Sequence, residues 1–202
     1  MPNWQDAEFS DKSFDGELFT GETFQTSKFE NCSFVAVNLD SAKLKSSHFE
    51  NCDFTRTNFS GSKFSGCIFT NCRFVDSTFF GATLDGTRLI GCNLEGADLR
   101  AIQVEACDFS FSSLRMQDLQ NLQLSKLKLV EADLYSANLS KSNLRNADLS
   151  RAILAQAKLD GADIKGAILE GIDLSQTSFR KTSIDIAQAI CISQSHGAVV
   201  EG

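Results

Sequence analysis

The chain has 202 residues, a net charge of −7, seven Cys, one Pro and 17 Phe. That length suits one domain with a sizeable core, and 42% hydrophobic with 22% charged residues excludes a disordered composition. No apolar run reaches the roughly 20 residues that a bilayer needs, and the acidic balance excludes nonspecific binding to nucleic acid or anionic membranes.

From the N-terminus, residues 1–5 show no basic segment followed by an apolar one, so a cytoplasmic setting is expected, in keeping with an odd number of Cys. From Phe9 onward every fifth residue is Phe, Leu, Val or Ile, through 36 consecutive positions to Ile184, and 15 of the 17 Phe fall on this row. We call these positions centres. Two residues before each centre lies an inner position that is mostly small, as at Ala7, Ser27, Cys32, Ala42, Cys52, Thr57, Ala97, Ala132 and Ala162. A period of five fits neither an α-helical face nor an alternating strand, so the chain must turn at every unit. One unit cannot bury its apolar pair alone, which predicts a stacked solenoid.

The segments Ala132-Asp133-Leu134, Ala137-Asn138-Leu139, Ala147-Asp148-Leu149 and Ala162-Asp163-Ile164 resemble the repeat of the pentapeptide repeat family, and the resemblance covers residues 7–186. It implies an all-β fold, a right-handed quadrilateral β-helix with four units per coil. Thirty-six units then make nine coils, about 43 Å long at a strand spacing of about 4.8 Å. The expected domains are 1–184, the β-helix, and 185–202, a C-terminal helix and tail. Centres change from mainly Phe through Phe79 to mainly Leu from Leu84, predicting a change of packing within one body.

Defects come next in chain order. Lys12, Glu17 and Glu22 are too polar for a core, so the first coil is expected to be open there. Cys32, Cys52, Cys72 and Cys92 lie 20 apart and stack, with Cys67 and Cys107 on the adjacent face. They read either as small apolar fillers or as a disulfide ladder or metal site. Ile102, Gln117, Leu122, Leu127 and Ile172 are large for the inner position and predict local bulges; Gln117 reads as a hydrogen-bonded buried amide or as a partner site. After Ile184, Asp185 is placed to cap a helix carrying Ile186, Ala189 and Ile190, with His196-Gly197 ending it and residues 198–200 forming an apolar strand.

Chemistry is sparse. The sequence has no HExxH, no GxxxxGK[ST], no GxGxxG after a strand and no CxxC, and its two His, His48 and His196, have no companions at catalytic spacing. The expectation is no enzyme, no catalytic residues, no cofactor and no metal. Grouping units by coil face gives net charges of −4, −2, 0 and +1 for the faces containing Phe29, Phe34, Leu39 and Leu44. Outward apolar residues share the first two faces: Ile68, Ile90, Phe111, Val130 and Ile168 on one, Val35, Val75, Met116, Tyr135 and Ile153 on the other. These faces read as a protein-binding surface, with Glu50, Ile68, Asp76, Ile90, Glu95, Asp108, Phe111, Met116 and Tyr135 as candidate contacts, or as a chance stripe.

The tail at 186–200 resembles the dimerisation module of the quinolone-resistance (Qnr-like) branch, and the uninterrupted register resembles that branch's loopless mycobacterial type. The resemblance implies a homodimer through Ile186, Ala189, Ile190, Val199 and Val200, roughly 90 Å long. Its implied role is a DNA-mimicking rod that binds DNA gyrase or topoisomerase IV and protects it from quinolones or modulates it, contacting neither nucleic acid nor membrane directly. The alternative is a structural or scaffolding solenoid that binds another protein. Residues 31–181 hold 17 acidic and 17 basic side chains, so mimicry must rest on face asymmetry rather than on total charge.

Overall fold

The computed structural model describes residues 4–200, so Met1–Asn3 and Glu201–Gly202, at the outer ends of the expected ranges 1–184 and 185–202, lie outside it. The chain forms two compact units, Met1–Asp108 and Phe109–Gly202. The change from Phe to Leu centres falls inside the first unit.

The first unit is a parallel β-solenoid with a 20-residue coil. Strands β1 (Glu8–Ser10), β3 (Lys28–Glu30), β5 (His48–Glu50), β7 (Ile68–Thr70) and β9 (Arg88–Ile90) form one sheet in that order. Strands β2 (Thr23–Gln25), β4 (Lys43–Lys45), β6 (Lys63–Ser65), β8 (Thr83–Asp85) and β10 (Gln103–Glu105) form a second. Centres pair with centres, as in Phe29 with Phe49 and Phe49 with Phe69. The other two faces are held by single parallel bridges such as Ser33 to Asp53 and Asn38 to Asn58. Regular strands therefore account for five turns, where nine coils were expected. The second unit has the same 20-residue stacking but only single bridges, for example Asp133 to Ile153 and Asp148 to Ile168.

Corners explain the period of five. The residue two after a centre has positive φ at almost every corner, from Asp6 (54°) to Lys181 (59°). Gly, Asn and Asp tolerate this left-handed conformation, and they hold many of the corners. In the first unit, corners on two sides close with a hydrogen bond from the next inner N–H to the centre C=O, as from Thr57 to Phe54 at 3.0 Å. At the corners that follow the first-face centres this bond is replaced. The Phe29 carbonyl accepts from the Cys52 thiol at 3.4 Å, Phe49 from Cys72 at 3.3 Å and Phe69 from Cys92 at 3.5 Å. The strand register also brings each of these carbonyls an N–H from the next coil, so the stacked Cys are second donors to them as well as small fillers. All seven thiols are free.

The core of the first unit is a set of aromatic columns. Phe29, Phe49 and Phe69 stack at 4.9 and 4.7 Å, and Phe34, Phe54 and Phe74 at 4.8 and 5.0 Å, while neighbouring columns meet edge to face. Trp4 extends the row of centres one unit before Phe9. Its ring lies 4.9 to 6.5 Å from five Phe rings, those of Phe9, Phe14, Phe19, Phe24 and Phe29, and is buried against them. Lys12 and Glu17 are exposed, as their polarity predicts, whereas Glu22 is half-buried.

Oversized inner residues are absorbed with little distortion. Alanine at this position makes its turn hydrogen bond at 2.9 to 3.1 Å, whereas Val37, Ile102, Gln117 and Leu127 make theirs at 3.3 Å. Gln117 is buried, and no buried side-chain polar atom among the described residues lacks a partner. The register shifts near Ile172: Gln156 N–H donates to Gln176 at 3.1 Å, twenty residues on, where Arg151 donates to Glu170, nineteen on.

At the C-terminus, α1 (Ile186–Ser195) is closed by a capping box. The Asp185 carboxylate accepts from Ala187 N–H and also from Gly166 N–H, at 3.0 and 2.8 Å, while buried Gln188 donates its side-chain N–H to the Ala167 carbonyl at 2.9 Å. Two side chains thereby take the bonds that a further coil's backbone would make. The expected strand at 198–200 is not formed: a strand needs a neighbour, and this segment has none among the described residues.

Candidate functional site

The candidate contacts are described unit by unit. In the first unit, the outer rows of the β1-β3-β5-β7-β9 sheet run Glu30, Glu50, Thr70, Ile90 and His48, Ile68, Arg88, continued by the bridge from Arg88 to Asp108. Glu50 is exposed beside Glu30, and Ile68, Ile90 and Asp108 are half-buried. On the adjoining face Asp76 and Glu95 are exposed and joined through the backbone, Asp76 N–H donating to the Glu95 carbonyl at 3.0 Å. The β2-to-β10 sheet differs in sign: Lys43 and Lys63 are register neighbours, with Lys45 on the next outer row. The segregation is partial: Asp85 and Glu105 end that sheet's row, and Lys28, paired with Glu8 at 3.2 Å, and Arg88 lie on the first sheet.

In the second unit, Phe111 and Met116 occupy two successive corners with φ of 62° and 55°, and both side chains are more than half exposed. Bulky residues are rare in this conformation, and nothing in the core requires them here. Met116 N–H donates to the Tyr135 carbonyl at 2.9 Å, and Phe111 N–H to that of Val130 at 2.9 Å. The Arg115 guanidinium lies 4.4 Å from the Tyr135 ring centroid and pairs with Asp133 at 2.8 Å, which fixes the half-buried Tyr135 in place. Ile153, bridged to Asp133, extends this patch. Arg115 and the positive φ at the two corners were not singled out in the sequence, although the Gly, Asn and Asp found at other corners are the signal for the latter.

The C-terminal candidates are also in this unit. Ile186, Ile190, Val199 and Val200 are exposed, Val199 by 87%, and Ala189 is half-buried. An open cleft of about 780 Å³ separates residues 166–172 from α1, with Leu169, Ile172, Ala187 and Cys191 in its lining.

Electrostatics show stabilising carboxylates and inert thiols. Asp15 lies below its ordinary value because the Ser33 hydroxyl and the Val35 N–H of the next coil donate to it; Asp160 does so through Ser178 and Arg180 N–H, and Asp185 through Gly166 N–H. Burial pushes the Cys67 thiol up to about 11 and raises those of Cys32 and Cys107; Cys52 is raised by its hydrogen bond with Cys72 and by burial, and Cys72 by burial and by Cys92. His48 is exposed on β5, and His196 ends α1 with its Nδ1 2.9 Å from the Ile192 carbonyl. Among the described residues no group of three or more His, Cys, Asp or Glu is placed to hold a metal ion, and no helix is long and apolar enough to cross a membrane.

Five-residue units, 20-residue parallel coils and left-handed corners define a parallel β-solenoid. The chain belongs to the pentapeptide repeat family: residues 2–79 match its pentapeptide repeat region, and 72–110, 118–156, 128–166 and 157–185 match its eight-copy repeat. Its fold is Qnr-like. It superposes on a trypsin-treated variant of QnrB1, a plasmid-mediated fluoroquinolone resistance protein, with a TM-score of 0.85 at 21% identity, covering 98% of this chain and 100% of that one. Full-length QnrB1 gives 0.74 at 19% identity, covering 95% and 100%. HetL, a pentapeptide repeat protein involved in heterocyst differentiation regulation in the cyanobacterium Nostoc, gives 0.60 at 20% identity, covering 90% and 88%. No curated protein sequence matches the chain.

Proposed function

We propose that this protein is a non-catalytic binding solenoid that occupies the DNA site of DNA gyrase or topoisomerase IV, protecting the enzyme from quinolones or modulating it. The supporting observation is the segregation of its surface. In the first unit Glu30 and Glu50 share a sheet with outward Ile68 and Ile90 while Lys43, Lys45 and Lys63 lie on the other sheet, and in the second unit Phe111, Met116 and Ile153 are exposed. Carboxylates there would meet the basic groups that otherwise meet phosphates, and Phe111, Met116 and Tyr135 would add apolar contact. Glu50, Ile68, Asp76, Ile90, Glu95 and Asp108 are the first unit's contribution. A homodimer through Ile186, Ala189, Ile190, Val199 and Val200 belongs to the same reading, since these residues put exposed apolar surface at one end of the second unit.

The test is binding of the purified protein to purified gyrase in competition with duplex DNA. Mutual exclusion, with affinity falling steeply as salt rises, is the expected result. A second reading, a scaffold for a different protein, is favoured by the charge balance of residues 31–181 and by the fold shared with HetL. It predicts simultaneous binding of DNA and this protein to gyrase, or no binding at all.

A further inference from the structure

We propose that a basic side of the second unit, centred on Lys141, Lys158, Arg180 and Lys181, takes a flexible acidic segment of another protein. The whole net charge of −7 lies in Met1–Asp108, while Phe109–Gly202 holds ten acidic and ten basic side chains and is neutral. Within that neutral unit the signs are sorted. The two faces that carry Phe111, Met116 and Tyr135 sum to −2, whereas the other two, residues 117–126, 137–146, 157–166 and 177–186, hold seven cations against four carboxylates. Pairing divides the cations further. Arg115, Arg145 and Arg151 are taken up by Asp133, Asp163 and Glu131 at 2.7 to 3.0 Å. Lys126, Lys141, Lys158, Lys165, Arg180 and Lys181 make no salt bridge among the described residues, and all but the half-buried Lys165 are exposed. The carboxylates beside them are already engaged. Asp160 accepts from the Ser178 hydroxyl and from Arg180 N–H, Asp163 holds Arg145, Asp118 accepts from the Gln120 and Asn138 side-chain amides, and Asp185 caps α1.

Lys141, Gly161 and Lys181 form one corner column: Lys141 N–H donates to the Asp160 carbonyl at 2.9 Å and Gly161 N–H to that of Arg180 at 2.8 Å. A Cβ on Gly161 would stand 3.4 Å from Lys141 Cγ, so the lysine stem lies over the glycine. Lys158, bridged to Asn138 and Ser178, belongs to the adjoining side. Lys126, Lys141 and Lys181 have φ of 60°, 59° and 59°, at corners that suit Gly or Asn better. Like charges gathered there repel one another, and an anionic partner removes the repulsion. Two observations favour carboxylates on a mobile chain over nucleic acid. Lys outnumbers Arg among the unpaired cations, and Lys lacks the fixed fork that recognises phosphate. Lys141 and Lys181 are two coils apart, about 10 Å at about 4.8 Å per coil, a distance that an extended segment of about six residues spans with its side chains. A duplex, longer than the stripe, would also meet the chain's net negative charge. The inference holds whatever protein the acidic and apolar faces bind.

The experiment measures binding of the full-length protein to a fluorescein-labelled octaglutamate peptide by anisotropy, with octaglutamine and a labelled DNA duplex as the other probes, at about 20 mM and about 300 mM salt. Octaglutamate should bind saturably at low salt and lose its affinity at high salt, and octaglutamine should not bind. The variant Lys141→Asn/Lys158→Gln/Lys181→Asn, which places a residue suited to positive φ at both corners, should melt no lower than wild type and bind octaglutamate at least about tenfold more weakly. Lys43→Gln/Lys63→Gln, in the first unit, should change that affinity by less than about twofold. Absence of octaglutamate binding at low salt overturns the proposal, as does equal weakening by the two variants or tighter binding of the duplex than of the peptide. Should the triple variant fail to fold, Lys158→Gln/Arg180→Gln must weaken the peptide by at least about threefold, and unchanged affinity there is equally fatal.

Discussion

Phe54 carries the packing argument for the first unit. Its ring is fully buried, stacked 4.8 Å from Phe34 and 5.0 Å from Phe74, with Phe49 and Phe59 at 5.5 Å and Phe69 at 5.8 Å. Phe54→Ala removes the ring from the middle of a column whose neighbours are each tied to a hydrogen-bonded coil, so the cavity cannot collapse. The cost should lie near the upper part of the usual range, about 4 kcal/mol. Trp4 is the single Trp and belongs to the same unit, so its fluorescence in urea follows that unit's unfolding. At an m-value of about 2 kcal/mol/M, the midpoint should fall by about 2 M. Phe80→Ala, at a Phe that is 52% exposed, is the control and should change stability by no more than about 0.5 kcal/mol. A loss below about 1 kcal/mol at Phe54 would refute the account of a close-packed aromatic column.

Cys52→Ala should cost about 1 kcal/mol because the Phe29 carbonyl loses its second donor, and Cys52→Ser should cost less; equal melting shifts would remove the thiol's donor role. Raised thiol values and burial predict that Cys32, Cys52, Cys67, Cys72 and Cys107 resist a thiol reagent at pH 8 until denaturant is added, which a native thiol count checks. Phe111→Asn should leave stability unchanged or raise it by up to about 1 kcal/mol, since Asn accepts φ of 62° more readily, while weakening partner binding; a destabilised protein would make Phe111 a structural residue. Asp15, Asp160 and Asp185 have folded-state values below the ordinary 3.8, so the stability they lend is complete above that value and is lost as pH falls through the lower folded values. Thermal melting should therefore be flat in this respect above about pH 4 and fall below it; a melting temperature that rises on acidification would contradict the cross-coil role of these carboxylates.

The repeat made the solenoid legible because its period is set by a backbone corner, and a corner imposes one large and one small inward residue on every unit. Phe29, Phe34 and their counterparts could therefore be placed on faces before any coordinates. Less visible was what the backbone does with its leftover polar groups. That Cys52 serves the Phe29 carbonyl, or that Asp185 and Gln188 stand in for a missing coil, depends on which corners lack the turn hydrogen bond. Apolar periodicity carries no such information. Trp4 kept the five-residue spacing but not the residue type of the row, so its place against five Phe rings came only from geometry. Residues 198–200 show the opposite case: three apolar residues suggest a strand, yet a strand exists only where another chain segment can pair with it. The candidate faces were legible as outward positions, whereas the grip of Arg115 on Tyr135 came only from geometry.

The central claim, a solenoid whose acidic and apolar faces occupy a topoisomerase's DNA site, is tested most directly by gyrase supercoiling of relaxed DNA with and without ciprofloxacin. Wild-type protein should change the enzyme's supercoiling activity or restore it against the drug. Phe111→Asn with Glu50→Lys should abolish the effect, while Lys43→Gln with Lys63→Gln should leave it intact. No effect of the wild-type protein in either condition, or equal loss from both pairs of substitutions, would contradict the account.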